Sequence, residues 1–333
     1  MKISVLDSLE HVAGENSAST LQRTITLARD AEHLGCHRFW IVEHHNVAFE
    51  ACPAPEVLVA ALAGATSRIR IGTGGILLNN YSPYKVAEQA RTLGALYPGR
   101  IDLGFGRSVS GPGPDLALKR DRDAERHDDQ AELVAELVEW LSGVARDQGP
   151  FTGMAIMPDL PAAPDGWLLA ASEATGTLAG RLGLRLACSA FHRPDLVPAI
   201  IAAYRAAFVP ARHAAGCHEP QVLIAIMGSV ASTQEEAELQ AMPMLMANDL
   251  RRKQGIFLPH LPDVNAAIAH FGGVVPGDSE LATRFTIGGV DEISTHLRQK
   301  AEALEVDEIL FRPMAADPDH KRTGIELLCR SLG

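Results

Sequence analysis

Apolar residues in this chain gather in short, nearly unbroken runs, and amphipathic stretches separate them. The runs cover Lys2–Leu6, Arg38–Val42, Ile69–Leu77, Arg100–Gly106, Trp167–Ala171, Leu184–Ser189, Gln221–Val230 and Glu308–Phe311. Continuous hydrophobicity of this kind marks parallel strands covered on both faces. Helical patterns fall between them, over Ser19–Leu34, Pro55–Ser67, Lys85–Leu96, Asp123–Leu141, Glu173–Leu182, Pro194–Phe208, Gln234–Ala247 and Asp291–Leu304. Ser172 and Ser232-Thr233 stand where helices need N-caps, and Gly35 and Gly183 where they need left-handed stops. A β-then-α alternation of eight units predicts an α/β fold, a (β/α)8 TIM barrel in one domain spanning 1–333. A doubly wound open sheet is the alternative. Three stretches break the rhythm, at about 108–122, 143–166 and 248–285, and are expected as lids or walls at the C-terminal face.

Composition narrows the function classes. Apolar residues make up 47% of the 333, enough for a large core. The net charge of −11 argues against nucleic-acid binding through a general basic footprint. Five scattered cysteines read as reduced thiols, not a disulfide framework. No apolar run approaches the roughly 18 residues of a membrane span, and no targeting segment is legible at the N-terminus. The expectation is a soluble cytoplasmic protein.

Candidate chemistry sits at strand ends, the face where barrels of this kind carry their sites. The run Phe39-Trp40-Ile41-Val42 leads straight into Glu43-His44-His45-Asn46. Imidazoles there can share a proton near neutral pH, or simply cap a loop. A metal site would need further ligands from other strand ends, and Asp7, Arg107 and Ser189 do not make one, so no metal is expected. Gly72-Thr73-Gly74-Gly75 exposes bare backbone, which suits a flat ligand or tight barrel packing. The corner Ala170-Ala171-Ser172-Glu173-Ala174-Thr175 turns a strand into a helix N-terminus. Such a corner can hold a phosphate or merely cap the helix, and Arg107 could supply countercharge. Gly104-Phe105-Gly106 lacks the third glycine and the acidic residue of a dinucleotide fingerprint.

Read together, these segments resemble the bacterial luciferase-like flavin monooxygenases over nearly the whole chain. The likeness rests on Phe39 through Asn46, Ala65 through Gly72, Pro83 through Glu88, Tyr97 through Gly104, Leu178 through Leu184 and Ile287-Gly288-Gly289-Val290-Asp291-Glu292. It is nearest a subgroup that includes antibiotic and polyketide tailoring monooxygenases. The resemblance implies reduced FMN, delivered by a separate flavin reductase, together with O2 and a small organic substrate such as an aromatic polyketide. It also implies a homodimer through the early helices. His44 matches the family's catalytic imidazole, and Gly74-Gly75 the place of a non-prolyl cis peptide under the flavin ring. Arg107, Ser172, Glu173 and Thr175 match flavin-phosphate positions. Three departures are legible. Gly106 stands where true luciferases carry a reactive cysteine, so light emission is not implied. The usual Gly-Ser-Ser phosphate turn reads Ala170-Ala171-Ser172, and the loop after Arg107 reads Ser108-Val109-Ser110-Gly111. The rival readings are an oxidoreductase using the deazaflavin F420 and a flavin-binding protein without turnover.

Overall fold

The computed structural model describes residues 1–119, 121–123, 129–143, 149–160, 162–273 and 284–333. Ten strands form one parallel sheet: β1 Lys2–Asp7, β2 Arg38–Ile41, β3 Arg70–Thr73, β4 Ile76–Leu77, β5 Ile101–Gly106, β6 Asp165–Ala170, β7 Arg185–Ser189, β8 Val222–Ala231, β9 Thr286–Gly289 and β10 Glu308–Pro313. The order runs β10-β1-β2-β3-β5-β6-β7-β8, and β10 pairs β8 to close the ring. Eight strands thus make a closed (β/α)8 barrel. The run Ile69–Leu77 does not form one strand, because it breaks at Gly74-Gly75, and β4 continues on β5 with Ile76 opposite Phe105. The turn at Ile287-Gly288-Gly289 is itself a short strand, β9, laid on the far end of β8 from Gly228 to Ala231.

Residues alternate across the barrel wall, and the two faces build two cores. Phe39, Ile41, Ile71, Leu103, Phe105 and Ile224 point outward under the helices, while Leu6, Trp40, Trp167, Leu223 and Leu310 fill the interior. Trp40 and Trp167 meet edge to face at 5.5 Å in the middle of the barrel. Beneath them, the first residues of several strands form a charged floor. Arg38 donates to Asp102 (2.6 Å) and to Glu308 (2.9 Å), and Trp40 Nε1 also donates to Asp102 (3.0 Å). Arg70 bridges Asp102 and Asp165, and Arg185 reaches Asp165 at 3.1 Å. Burial alone would push the Asp102 carboxyl up, but the Arg38 and Arg70 guanidiniums outweigh it and hold it below its ordinary value.

The helix ring departs from the sequence pattern in three places. A helix over Pro318–Leu332, not among the eight expected, follows β10 and closes the helix ring. Two of its inward positions are Lys321 and Gly324, so its apolar stripe (Ile325, Leu328, Leu332) is short. The helix expected to end at Ala247 continues to Gln254 despite Pro243, which takes part of the 248–285 insertion; Val264–His270 is helical too. The helix expected from Asp123 starts at Gln130, with 124–128 outside the described residues. Parts of the insertions at about 143–166 and 248–285 (144–148, 161 and 274–283) lie outside them as well. Among the described residues no helix is long and apolar enough to cross a membrane.

Candidate active site

The C-terminal ends of the strands bring the expected site residues to one mouth. His44 lies three residues beyond β2, its N–H tied to Cys52 O at 3.0 Å. Its Nδ1 makes a short contact with Glu50 Oε2, and Glu50 is itself 5% exposed. A carboxylate on Nδ1 selects the Nδ1–H tautomer, which leaves Nε2 as a proton acceptor. The ring is 37% exposed, so it reaches the mouth. His45 turns elsewhere. It meets Glu43 at 2.7 Å, and Glu43 also accepts from Tyr81 (2.8 Å) and Leu77 N (2.9 Å), cross-tying the end of β2 to β4. Glu50 is therefore the carboxylate that orients the His44 ring, while His45 holds the loop through Glu43.

Glu50 is held by a chain of buried charges. Arg312, in β10, reaches Glu50 at 3.4 Å and Glu10 at 3.3 Å. Lys321 then donates to Glu10 at 2.7 Å and to Asp7 at 3.2 Å, and Thr24 donates to Asp7 at 2.7 Å. Burial would push the Glu10 carboxyl up, yet Lys321 and Arg312 bring it far below the ordinary range. Burial likewise opposes charge on Lys321, and Glu10 and Asp7 keep its ammonium protonated. Asp7, grouped with the mouth by its strand-end position, faces outward into this chain and is 1% exposed.

The peptide bond between Gly74 and Gly75 is cis. Gly74 is half-buried, and its N–H bonds Ile41 O at 2.8 Å. A Cβ on Gly74 would lie 2.8 Å from Leu6 Cδ1, and one on Gly75 would lie 2.8 Å from Gly104 O. The backbone of β5 therefore demands glycine at Gly75, while at Gly74 only the end of the Leu6 side chain stands in the way, and bare backbone is left at the mouth. Gly106 is also tight, since an added Cβ would sit 3.2 Å from Leu169 Cβ.

Across β5 and β6 lies the helix corner. Arg107 is exposed just beyond β5, and the pairing of Phe105 with Leu168 puts Ser172 at the adjacent strand end. Ser172 caps the helix Glu173–Arg181: its Oγ accepts from Thr175 N at 3.3 Å and lies 3.0 Å from Thr175 Oγ1. Glu173 is the first helical residue and its side chain is exposed. Two hydroxyls and the N–H groups of a first turn form a donor set suited to a phosphate, with Arg107 at the end of the adjacent strand.

Sequence reasoning missed three residues here. Glu50 and Arg312 carry no local signal, because their meaning is a contact made across the barrel. His192, three residues past the end of β7, had the signal of an imidazole near a strand end. Its Nδ1 lies 2.8 Å from Ser189 Oγ. Its outer edge meets solvent, but desolvation by the walls of the mouth, with Arg312, Arg284, His44 and Arg251 nearby, pushes its pKa down to about 4. Phe191 stacks beside it at 4.5 Å. Of the aromatic side chains around the mouth, Phe105 is buried in the outer core and Trp167 and Phe191 in the inner one.

The family described as luciferase-like monooxygenase matches residues 1–306. A luciferase-like monooxygenase of Escherichia coli strain K12 is 36% identical over 239 residues, covering 71% of this chain and 68% of that one. An N-acetyl-S-alkylcysteine monooxygenase of Bacillus subtilis is 39% identical over 188 residues, 55% of each chain. The crystal structure of apo-MsnO8 superposes with a TM-score of 0.89 at 36% identity, covering 99% of this chain and 97% of that one. The chain belongs to the luciferase-like monooxygenase family, a family of flavin-dependent enzymes.

Proposed function

We propose that the protein is the oxygenating component of a two-component system. It takes reduced FMN from a separate flavin reductase and uses O2 to oxygenate a small organic substrate. The observation that carries this reading is the Gly74-Gly75 strip, hydrogen-bonded to β2 beside His44 on one side and packed against β5 on the other. The residues present fit FMN. A flat ring system can approach the strip, which carries no side chain, and Ser172, Thr175, the main-chain N–H of Glu173 and the Arg107 guanidinium suit its single phosphate. Reduced FMN, when bound, supplies the electrons that activate O2.

The chain's own residues then bind, orient and move protons. His44 accepts or returns a proton at Nε2, and Glu50 on Nδ1 holds the ring in the tautomer that leaves Nε2 open. His192, exposed and backed by the buried Phe191 ring, offers an aromatic edge at the mouth, which suits the aromatic polyketide class suggested by the resemblance. The exposed apolar residues Val57, Leu96 and Met157 support a homodimer through the early helices.

Anaerobic titration with reduced FMN, and with F420 in parallel, tests the cofactor. Tight F420 binding with no uptake of reduced FMN overturns the proposal. With reductase-supplied flavin, His44→Ala should lower product formed per O2 consumed by about 10²-fold. An unchanged yield would remove His44 from the proton chemistry.

A further inference from the structure

The barrel's N-terminal end, opposite the mouth, carries a second chemically distinctive place. Cys36 follows the first crossover helix, and Cys329 lies in the last turn of the helix Pro318–Leu332. The two are 293 residues apart in sequence, and their Sγ atoms lie 3.4 Å apart. The other three cysteines, Cys52, Cys188 and Cys217, are buried, and burial pushes the Cys188 thiol up to about 12. Cys36 and Cys329 instead line a cavity of about 620 Å3, together with Met1, Lys2, Glu32, His37 and Arg68. Cys36 is buried while Cys329 is half-exposed to that cavity, so one sulfur is reachable and the other waits behind it.

We propose that Cys36 and Cys329 are a reversible disulfide site, oxidised by hydrogen peroxide through the cavity. Cys329 is the attacking sulfur, because it is the one open to the cavity while Cys36 is buried; a hydrogen bond donated by Cys36 across the 3.4 Å contact favours the Cys329 thiolate, the nucleophilic form. Its sulfur attacks one peroxide oxygen, the O–O bond breaks, and a sulfenic acid and one water result. Cys36 sulfur then attacks the Cys329 sulfur, the S–O bond breaks, the S–S bond forms and a second water leaves. Two thiols and one peroxide give one disulfide and two waters. The sulfurs need to approach by about 1.4 Å to reach bonding distance. The bond would tie the first βα unit to the closing helix, a junction now held at its end by the Met1 ammonium on Leu332 O at 3.1 Å.

The test is peroxide treatment of the full chain, alkylation under denaturing conditions and tryptic mapping. The expected result is a fall from five alkylatable thiols to three, with the peptide Asp30–Arg38 linked to Thr323–Arg330 and released by dithiothreitol. Cys36→Ser should abolish the link and leave Cys329 to gain oxygen atoms. If the wild type keeps five free thiols, or Cys329 gains oxygen with no linked peptide, the proposal is overturned.

Discussion

Asp102→Asn tests the charged floor most directly. Asp102 is 1% exposed and accepts from Arg38, Trp40 and Arg70, with contacts between 2.5 and 3.0 Å. Asparagine keeps the shape but removes the charge and turns an N–H2 toward one guanidinium. Removing one partner of a buried charge cluster costs about 3–5 kcal/mol, against a total stability of about 5–15 kcal/mol. With a urea slope of about 3 kcal/mol/M, the unfolding midpoint should fall by roughly 1 M or more. Asp165→Asn is the internal control. Asp165 also bonds Arg70 and pairs with Arg185, but its side chain is 29% exposed, so its loss should cost only about 1 kcal/mol. The pH dependence adds a second signature. Because the folded Asp102 titrates below its ordinary value, its contribution is full above the unfolded carboxylate pKa and is lost as pH falls through the folded one. The wild type should therefore lose more stability than the variant on acidification. A midpoint for Asp102→Asn no lower than that for Asp165→Asn would refute the idea of a desolvated floor.

Glu32→Gln probes a different pin. Its Oε1 accepts three main-chain N–H groups from Ser67, Arg68 and Ile69; slight burial opposes ionisation, but these bonds bring its carboxyl from 4.5 to about 2. After discount for solvent, the loss should be about 1 kcal/mol near neutral pH, and thermal melts should show the gap closing as pH falls from 4.5 to 2. Glu50→Gln should leave the substrate KM unchanged and reduce coupled product formation about tenfold, read as product and O2 measured together. Equal losses in both would point to a folding defect. Ser172→Ala should cost about 1 kcal/mol of stability as a lost cap and weaken reduced FMN several-fold. A melt that moves while affinity does not would take the phosphate away from this corner.

The barrel was legible because its strands are covered on both faces and therefore read as apolar runs. The expected boundaries fall close to those observed wherever the pattern is unbroken, as at β1, β5 and β7. Legibility failed where an inward position carries something other than a hydrocarbon. Lys321 and Gly324 hid the closing helix, and the polar run after Ala247 hid the end of the helix Gln234–Gln254. At the site, His44 was visible from its place after a greasy strand, and Gly74-Gly75 from its bare backbone. Glu50 was not, because nothing six residues downstream of a histidine marks a carboxylate that folds back on it.

The same limit shows what the mouth depends on. His44 and Glu50 come from the second βα unit, Glu10 and Asp7 from the first, and Arg312 and Lys321 from the last. Arg312 bonds Glu50 and Glu10 together, so it couples the orienting carboxylate to the seam where β10 meets β1. Neither unit alone could keep these carboxylates buried, since each would be left as an unpaired charge. The imidazole is thus fixed only when the chain's final unit docks against its first. On this arrangement the setting of the His44 ring and the closure of the barrel rest on the same ion pairs.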